Sequence, residues 1–424
     1  MRILVRNGRL LDGANGVDRV GTLAIAYGEI LTAGETPADF TPDLEIDATG
    51  RIVAPGLVDL AARLREPGHE HKATIASESE AAVAAGITTL CCLPDTQPVI
   101  DTPAVVELIR RRALAADRGR VLPVGALTRG LAGEQLSEMA ALKQAGCVAV
   151  MDVVPLANSQ ILRRALEYAS TWGLLVCLTP EDPWLAEGGC AHEGAVATRL
   201  GLPGIPASAE SAALARDLAL VETTGARTHF CRLSTARGVE KIRRAKAEGL
   251  PVTADVAAHQ LFLTEADVEG FRTECHVRPP LRSEEDRQAL REAVADGTID
   301  AICSDHQPHE ADAKLAPFCA TEPGLSALET LLPLTLRLAE EGLLPLAEAL
   351  QRVTAAPARI LGSVYGTLEP GSPADVVIID PAACWTLSDE TLRSRGRNTP
   401  FLDTPFTGRA THVIVDGRLT WQEA

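Results

Sequence analysis

Short apolar segments alternate with helical segments through the middle of this chain, and this alternation restricts the fold more than any other feature. The apolar segments predict strands at 57–60, 87–93, 121–125, 147–151, 174–178, 228–232, 252–256 and 299–303. Segments such as EQLSEMAALKQAG and ARGVEKIRRAKAEG predict helices that end at glycine. Alternating strands and helices form parallel sheets, and eight such units in about 300 residues predict a (β/α)8 TIM barrel.

Both ends of the chain carry a different pattern, in which short β-like runs alternate with turns. RILVRNGRLLD lies near the start and THVIVDGRLTWQ near the end. Each end is too short for a separate domain, so we expect the two ends to form one small β-sandwich beside the barrel. The predicted division is 1–54 and 363–424 for the β-sandwich and 55–362 for the barrel. The fold class is therefore α/β.

Composition excludes several classes of partner. The formal net charge of −17 opposes binding to nucleic acid or to an acidic membrane surface. Aromatic residues make up 3% of the chain, too few for the stacking surfaces of single-strand binders. No apolar run approaches the length of a membrane span, and MRILVRNGRLLDG lacks the apolar core of a signal peptide. We expect a cytoplasmic protein that binds neither nucleic acid nor membrane.

The ten cysteines do not form the pattern of a disulfide framework. Cys91 and Cys92 in ITTLCCL, Cys147 in GCVAV and Cys177 in LLVCL lie inside apolar strand-like segments. No C-x-x-C pair indicates zinc binding or redox chemistry. We expect the cysteines to be buried, reduced and structural.

The residues at the C-terminal ends of the predicted strands are the candidates for chemistry, because active sites of this barrel lie there. In chain order they are Ala61, Arg63, Arg65, Asp95, Asp152, Thr179, Glu181, Asp182, Arg232, His259, Arg278, Asp305, His306 and His309. Arginines and carboxylates dominate this set.

Long motifs of the chain resemble dihydroorotase, a zinc enzyme of the amidohydrolase superfamily. They are PGLVDL, LREPG and HK within 55–72, EGAVATRLGLPGIPASAE at 193–210, STARGVEKIRRAKAEGLPVTA at 234–254, DGTIDAICSDHQPH at 296–309, GLSALETLLPLTL at 324–336 and PGSPADVVIIDP at 370–381. The resemblance covers nearly the whole chain in order. It implies an amidohydrolase-type barrel and reversible closure of the dihydroorotate ring from carbamoyl aspartate.

The family's zinc ligands are largely absent from this sequence. The family pattern has His-x-His after strand 1, a carboxylate or carboxylated lysine after strand 4, a histidine after each of strands 5 and 6, and an aspartate after strand 8. The four histidine positions hold Ala61, Arg63, Thr179 and Arg232. Carboxylates remain at Asp152 and Asp305. We therefore expect no metal, no other cofactor and no catalytic residue, with Asp305 a vestige of the family's general base.

The substrate pocket is altered as well. Arg65 stands where the family's arginine binds a substrate carboxylate, but the family's two asparagines are Asp95 and Arg278. A carboxylate at position 95 would repel an anionic substrate. His259 completes the vestigial pocket, and whether its ring faces that pocket stays open.

Two arginines are expected to replace the charge of the missing metal. Without metal, Asp152 and Asp305 would face each other as a like-charge pair. A guanidinium supplies a fixed positive charge and several donors. We predict that Arg63 or Arg232 forms a salt bridge with one of these carboxylates.

The other histidines have structural interpretations. His69 and His71 in GHEHK lie in the loop beyond Arg65, where active relatives carry similar residues. His229 belongs to a strand and is expected to be a satisfied core histidine. His306 and His309 follow Asp305 in the family order, where packing roles are usual.

Three functions are compatible with these features. The favoured one is a non-catalytic subunit, a pseudoenzyme, in pyrimidine biosynthesis. The resemblance implies that it assembles the catalytic chain of aspartate carbamoyltransferase. We expect it to form a homodimer within that hetero-oligomer. The alternative is an active cyclic-amide hydrolase with a reorganised one-metal or metal-free site. The third is a binding module that senses a carboxylate metabolite through Arg65 and Arg278.

Overall fold

The computed structural model describes residues 1–423, and its first five strands precede the barrel. They are β1 (Ile3–Asp12), β2 (Val17–Ala26), β3 (Glu29–Gly34), β4 (Leu44–Asp47) and β5 (Ile52–Pro55). β1 pairs antiparallel with β2 and parallel with β4 and β5.

Eight parallel strands follow and form the predicted barrel. They are β6 (Leu57–Ala62), β7 (Ile87–Cys92), β8 (Arg120–Ala126), β9 (Ala149–Met151), β10 (Leu175–Leu178), β13 (Thr228–Phe230), β14 (Val252–Ala257) and β15 (Ala301–Cys303), with the short pair β11 (Ala191–His192) and β12 (Gly204–Ile205) between β10 and β13. Neighbours in the chain are neighbours in the sheet. The ring closes where the Arg63 amide donates to the His306 carbonyl over 2.9 Å and the His306 amide donates to the Ala61 carbonyl over 3.1 Å.

Eleven α-helices surround the strands of the described chain. They are α1 (Ile75–Ala84), α2 (Pro103–Ala116), α3 (Met139–Ala145), α4 (Ser159–Thr171), α5 (Ala195–Leu200), α6 (Ala207–Thr224), α7 (Ala236–Ala247), α8 (Glu284–Asp296), α9 (Leu328–Glu340), α10 (Leu346–Gln351) and α11 (Ala355–Leu361). Side chains such as Thr235 and Ser283 cap their first turns, and Gly297 ends α8 in the left-handed conformation. Within residues 1–423, no helix combines the length and the apolar character that crossing a membrane requires.

Three final strands return to the N-terminal ones: β16 (Val376–Thr386), β17 (Pro405–Val415) and β18 (Arg418–Gln422). β16 pairs with β5, so both termini form one sheet in the order β18-β17-β16-β5-β1-β2-β3. Buried residues of both ends, including Ile3, Ile25 and Ile378, share a core of their own. The predicted fold class is confirmed, with the terminal unit built as one continuous hydrogen-bonded sheet. Residues 387–404, here called the return segment, connect β16 to β17.

Cysteine pairing differs from the prediction in one place. Cys190 and Cys319 form a disulfide across 129 positions, which joins the loop after β10 to the loop after β15. The prediction that they are reduced is wrong because the barrel brings these distant loops together. The other eight cysteines are free, and all of them except Cys384 are buried.

Candidate functional site

The candidate site lies at the C-terminal ends of β6, β10, β13 and β15. Arg63 directly follows β6, and its backbone is fixed by the hydrogen bond that closes the barrel. Arg232 and Asp305 follow the ends of β13 and β15 with φ values of 55° and 50°. Non-glycine residues rarely adopt this left-handed conformation, and such strained positions cluster at functional sites.

Two guanidinium groups face the Asp305 carboxylate. Arg63 Nη1 lies 3.7 Å and Arg232 Nε lies 3.6 Å from Asp305 Oδ1. The predicted salt bridge is therefore present, and both arginines contribute to it. Asp305 Oδ2 accepts a hydrogen bond of 3.1 Å from Gln307, whereas Oδ1 has no hydrogen-bond partner. Burial raises the pKa of Asp305, and the charges of Arg232 and Arg63 oppose this rise.

Each arginine is held on its other side by a second oxygen. Arg63 Nε donates to Asp95 Oδ2 over 2.6 Å, and Arg232 Nη2 donates to Thr179 Oγ1 over 2.7 Å. Asp95 is therefore not a free negative charge, as the sequence suggested, but the partner of Arg63. Burial would raise the pKa of Asp95, yet Arg63 outweighs burial and the pKa is lowered. The two positive charges of Arg63 and Arg232 are therefore matched by the two negative charges of Asp95 and Asp305.

A second ion pair lines the same cavity. Arg278 donates to Glu181 through Nη2 over 2.5 Å and through Nε over 3.0 and 3.2 Å. Arg278 is thus already paired with a carboxylate of the protein. The cavity encloses about 120 Å³. Its lining is Arg63, Val153, Pro155, Thr179, Pro180, Glu181, Glu210, Arg232, Arg278, Pro279, Arg282, Gln307 and Pro323.

Sequence reasoning missed two charged residues of this lining. Glu210 is buried and accepts from the amides and hydroxyls of Ser234 and Thr235. Arg282 donates to the Ile205 carbonyl over 2.6 Å. Glu210 ends the motif at 193–210 that carries the family resemblance, and this motif was the available signal for it.

Arg65, His259 and Asp152 do not line the cavity, and neither do Asp95 and Asp305. Arg65 donates to the Pro308 carbonyl over 3.0 Å, and burial together with Arg63 lowers its pKa to about 10. His259 is buried, which lowers its pKa to about 3, and its Nδ1 has no partner. The Asp152 carboxylate accepts from the amides of Leu127 and Thr128 over 3.0 Å each, so it faces that turn and not Asp305.

His229 and His306 are hydrogen-bonded inside the barrel. His229 contacts Thr253 Oγ1 over 2.8 Å and Asp255 Oδ2 over 3.0 Å, which fits the predicted core histidine. His306 accepts from the Ala327 amide over 3.0 Å through Nδ1, so its Nε2 donates to Glu78 over 2.8 Å. Neither ring faces Asp305 with a free nitrogen.

The residues of the site do not fit the zinc ion that the resemblance implies. Zinc takes thiolate, imidazole and carboxylate ligands. Around Asp305 stand two guanidinium groups, which are permanent cations without a lone pair to donate. Among residues 1–423, one group of potential ligands lies close together, His229, Cys231 and Asp255, with ligand atoms within 4.8 Å of one another. Both nitrogens of His229 are already hydrogen-bonded there.

Comparison with known proteins identifies relatives along the whole chain. Residues 50–238 match the family model described as dihydro-orotase-like, and residues 212–421 match that of the amidohydrolase family. The chain is 52% identical over 421 residues to a dihydroorotase-like protein of Pseudomonas aeruginosa, with 99% of each chain covered. It is 47% identical over 424 residues to a dihydroorotase of Anaeromyxobacter dehalogenans, with 99% of this chain and 98% of the relative covered.

Solved structures share the fold. The L-hydantoinase (dihydropyrimidinase) from Arthrobacter aurescens superimposes with a TM-score of 0.89 at 24% identity, covering 100% of this chain and 96% of its own. A D-hydantoinase superimposes with a TM-score of 0.86 at 21% identity, covering 100% of this chain and 95% of its own. At these identities the likeness is evidence for the fold.

These relatives overturn one expectation from the sequence. The prediction that the chain is not an enzyme is wrong, because relatives 47% identical over the full length are named dihydroorotase, which indicates a hydrolase. The prediction treated lost histidines as lost activity, and the names of these relatives agree better with the alternative, an active cyclic-amide hydrolase with a reorganised site. The chain belongs to the dihydroorotase-like amidohydrolase family.

Proposed function

We propose that this chain hydrolyses a cyclic amide of the dihydroorotate type in pyrimidine metabolism, at a site reorganised to work without metal. The observation that carries the proposal is the carboxylate of Asp305. It is buried at the end of β15, and its Oδ1 has no hydrogen-bond partner although two guanidinium groups lie within 4 Å. The dihydroorotase name of relatives at 47% identity supports the choice of reaction.

In this proposal Asp305 is the general base. A base must be unprotonated and must have a free lone pair near the attacking water. Two guanidinium charges favour the ionised form of Asp305, while burial makes that form more basic than an exposed carboxylate. Because its pKa is raised, the rate should rise with pH as Asp305 loses its proton. The measurement is the pH dependence of kcat/KM in the acidic range.

The test is a pair of aspartate variants assayed in both directions of the reaction. Asp305→Asn keeps the shape but removes the base, so kcat for dihydroorotate hydrolysis and carbamoyl aspartate cyclisation should fall about 10²- to 10⁴-fold. Asp312→Asn is the control, because Asp312 lies exposed in the same loop. Thermal unfolding of both variants shows whether the fold is kept.

Two results would contradict the proposal. One is wild-type protein that turns over neither dihydroorotate nor a simple hydantoin at any pH from 6 to 9. The other is a folded Asp305→Asn variant with the wild-type rate.

A further inference from the structure

A second cavity lies at the N-terminal ends of the barrel strands, on the face opposite the candidate site. Residues 227, 251 and 300 line it, and they immediately precede β13, β14 and β15. It encloses about 340 Å³, within the range of about 300–1,000 Å³ that is typical of small-molecule sites. Its lining is Arg227, Leu250, Pro251, Val252, Thr253, Asp300, Gln351, Arg352, Ala356, Arg359 and Ile360.

Three arginines of this lining have no carboxylate partner. Within residues 1–423, no carboxylate oxygen lies within 4.0 Å of a side-chain nitrogen of Arg227, Arg352 or Arg359. Arg227 Nη2 donates to the carbonyl of Ile360, which is a neutral acceptor. Arg352 Nε is buried and has no hydrogen-bond partner. Burial lowers the pKa of Arg352, and the more distant carboxylates around it do not offset this effect.

Asp300, the carboxylate of the lining, already has a cationic partner. Its Oδ2 accepts hydrogen bonds from Lys246 Nζ over 2.6 Å and from the Ala254 amide over 2.8 Å. The charges of Asp300 and Lys246 cancel, so the three guanidinium charges of the lining remain. They stand together in a chain whose formal net charge is −17. Like charges at one place repel one another, and this cavity therefore favours an anionic ligand.

We propose that this cavity binds a phosphate group. Guanidinium groups match the oxygens of phosphate with paired N–H donors. A phosphate monoester carries about two negative charges and three acceptor oxygens, which suits three guanidinium groups better than the single charge of a carboxylate does. Leu250, Val252 and Ile360 supply an apolar wall for the organic part of a phosphorylated small molecule. The proposed hydrolysis uses none of these residues, so the two proposals stand or fall separately.

The experiment measures the binding of inorganic phosphate, phenyl phosphate and acetate to the full chain by calorimetry at low ionic strength. It compares the wild type with Arg352→Gln, Arg359→Gln and the control Arg111→Gln. Arg111 is exposed on α2, pairs with Glu107 and does not line this cavity. Each arginine of the cavity makes a charge-assisted hydrogen bond to the ligand, so each cavity variant should bind phosphate about 10-fold more weakly. The control should keep the wild-type affinity.

Thermal unfolding shows that each variant is folded and gives a second measure of binding. Arg359 is exposed, so its replacement should leave the fold intact. If Arg352→Gln does not fold, Arg227→Gln takes its place, because Arg227 is also exposed. A ligand that binds only the folded state stabilises it. Phosphate should therefore raise the unfolding temperature of the wild type and of the control more than that of either cavity variant.

Saturable binding of phosphate that both cavity variants weaken, and that the control does not, would support the site. Phenyl phosphate bound more tightly than inorganic phosphate would identify an organic phosphate as the ligand, and equal binding would identify free phosphate. Three results would overturn the proposal. They are no heat with either phosphate compound at millimolar concentration, a folded cavity variant that binds phosphate as tightly as the control, and acetate bound as tightly as phosphate.

Discussion

At the scale of single residues, the site is a closed charge balance. Arg63 and Arg232 carry two positive charges, and Asp95 and Asp305 carry two negative ones. Charges about 3.6 Å apart attract by roughly 4–5 kcal/mol at an effective dielectric constant near 20. Removing one member leaves a buried charge without compensation, which typically costs 3–5 kcal/mol. The balance therefore keeps all four residues in place together.

Restoring the lost His-x-His should not restore a zinc site. The variant Ala61→His with Arg63→His supplies two imidazoles, but Thr179 and Arg232 still offer no ligand, and Asp95 loses its cation. We expect no stoichiometric zinc and a loss of about 3 kcal/mol in the free energy of unfolding. Elemental analysis and urea unfolding measure these two quantities. Ala61→His alone serves as the control, and one tightly bound zinc per double-variant chain would show that the two histidines are enough to restore a zinc site.

The sequence allowed some of these contacts to be predicted and not others. The pairing of Arg63 and Arg232 with Asp305 follows from their places at strand ends, which the barrel brings together. The place of Asp152 does not follow, because its partners are backbone amides of the 127–128 turn. The Arg278–Glu181 pair was also missed, since an arginine on a long loop reaches several acceptors.

At the scale of elements, the return segment ties the terminal sheet to the site. Asn398 is buried, and its Nδ2 donates to the carbonyls of Gln307 and Gly324 over 2.9 and 3.1 Å. Its Oδ1 accepts from the His309 amide over 2.9 Å. These three hydrogen bonds position the loop that begins with Asp305.

Asn398→Ala should therefore destabilise the protein. Three buried backbone groups lose their partners, so we expect the free energy of unfolding to fall by about 3 kcal/mol. Arg397→Ala, an exposed neighbour, should change it by less than about 1 kcal/mol. Denaturant unfolding distinguishes the two, and equal stability of both variants would show that the return segment does not hold this loop.

Helix α9 carries a buried acid that links stability to pH. Burial raises the pKa of Glu329 to about 7, although the amides of Arg393 and Ser394 donate to it. In the unfolded chain this group titrates near 4.5. The folded state therefore keeps a proton that the unfolded state has lost between these pH values. The stability from this group is full below pH 4.5 and is lost as pH rises to 7, by roughly 3 kcal/mol.

Glu329→Gln should flatten this dependence. The free energy of unfolding of the wild type should fall more between pH 5 and pH 8 than that of the variant. Glu340→Gln is the matched control, because Glu340 lies exposed on the same helix. A variant curve parallel to the wild-type curve would rule out Glu329 as the source.

The elements themselves were the most predictable part of the structure. The spacing of apolar residues predicts the eight barrel units, because a barrel strand is buried on both faces and a surrounding helix on one. The residues at which single strands end were less predictable. β13 stops at Phe230, two residues before the predicted end, because the Arg232 amide turns to donate to Asp255.

At the scale of the whole molecule, association with aspartate carbamoyltransferase stays a prediction from the family resemblance. Mixed with the catalytic chain from the same organism, the protein should elute with it as one larger species and raise its activity or its assembled fraction. Gel filtration with light scattering measures both size and stoichiometry. Separate elution at micromolar concentration, with unchanged carbamoyltransferase activity, would remove this partner.

The proposed function requires hydrolysis that depends on Asp305 and needs no metal. The most direct measurement is the rate of dihydroorotate hydrolysis by chelator-treated protein, taken beside its zinc content by elemental analysis and repeated after zinc is added. We expect turnover at less than one zinc per ten chains, unchanged by added zinc. A rate that rises in proportion to bound zinc, or no turnover in either state, would contradict it.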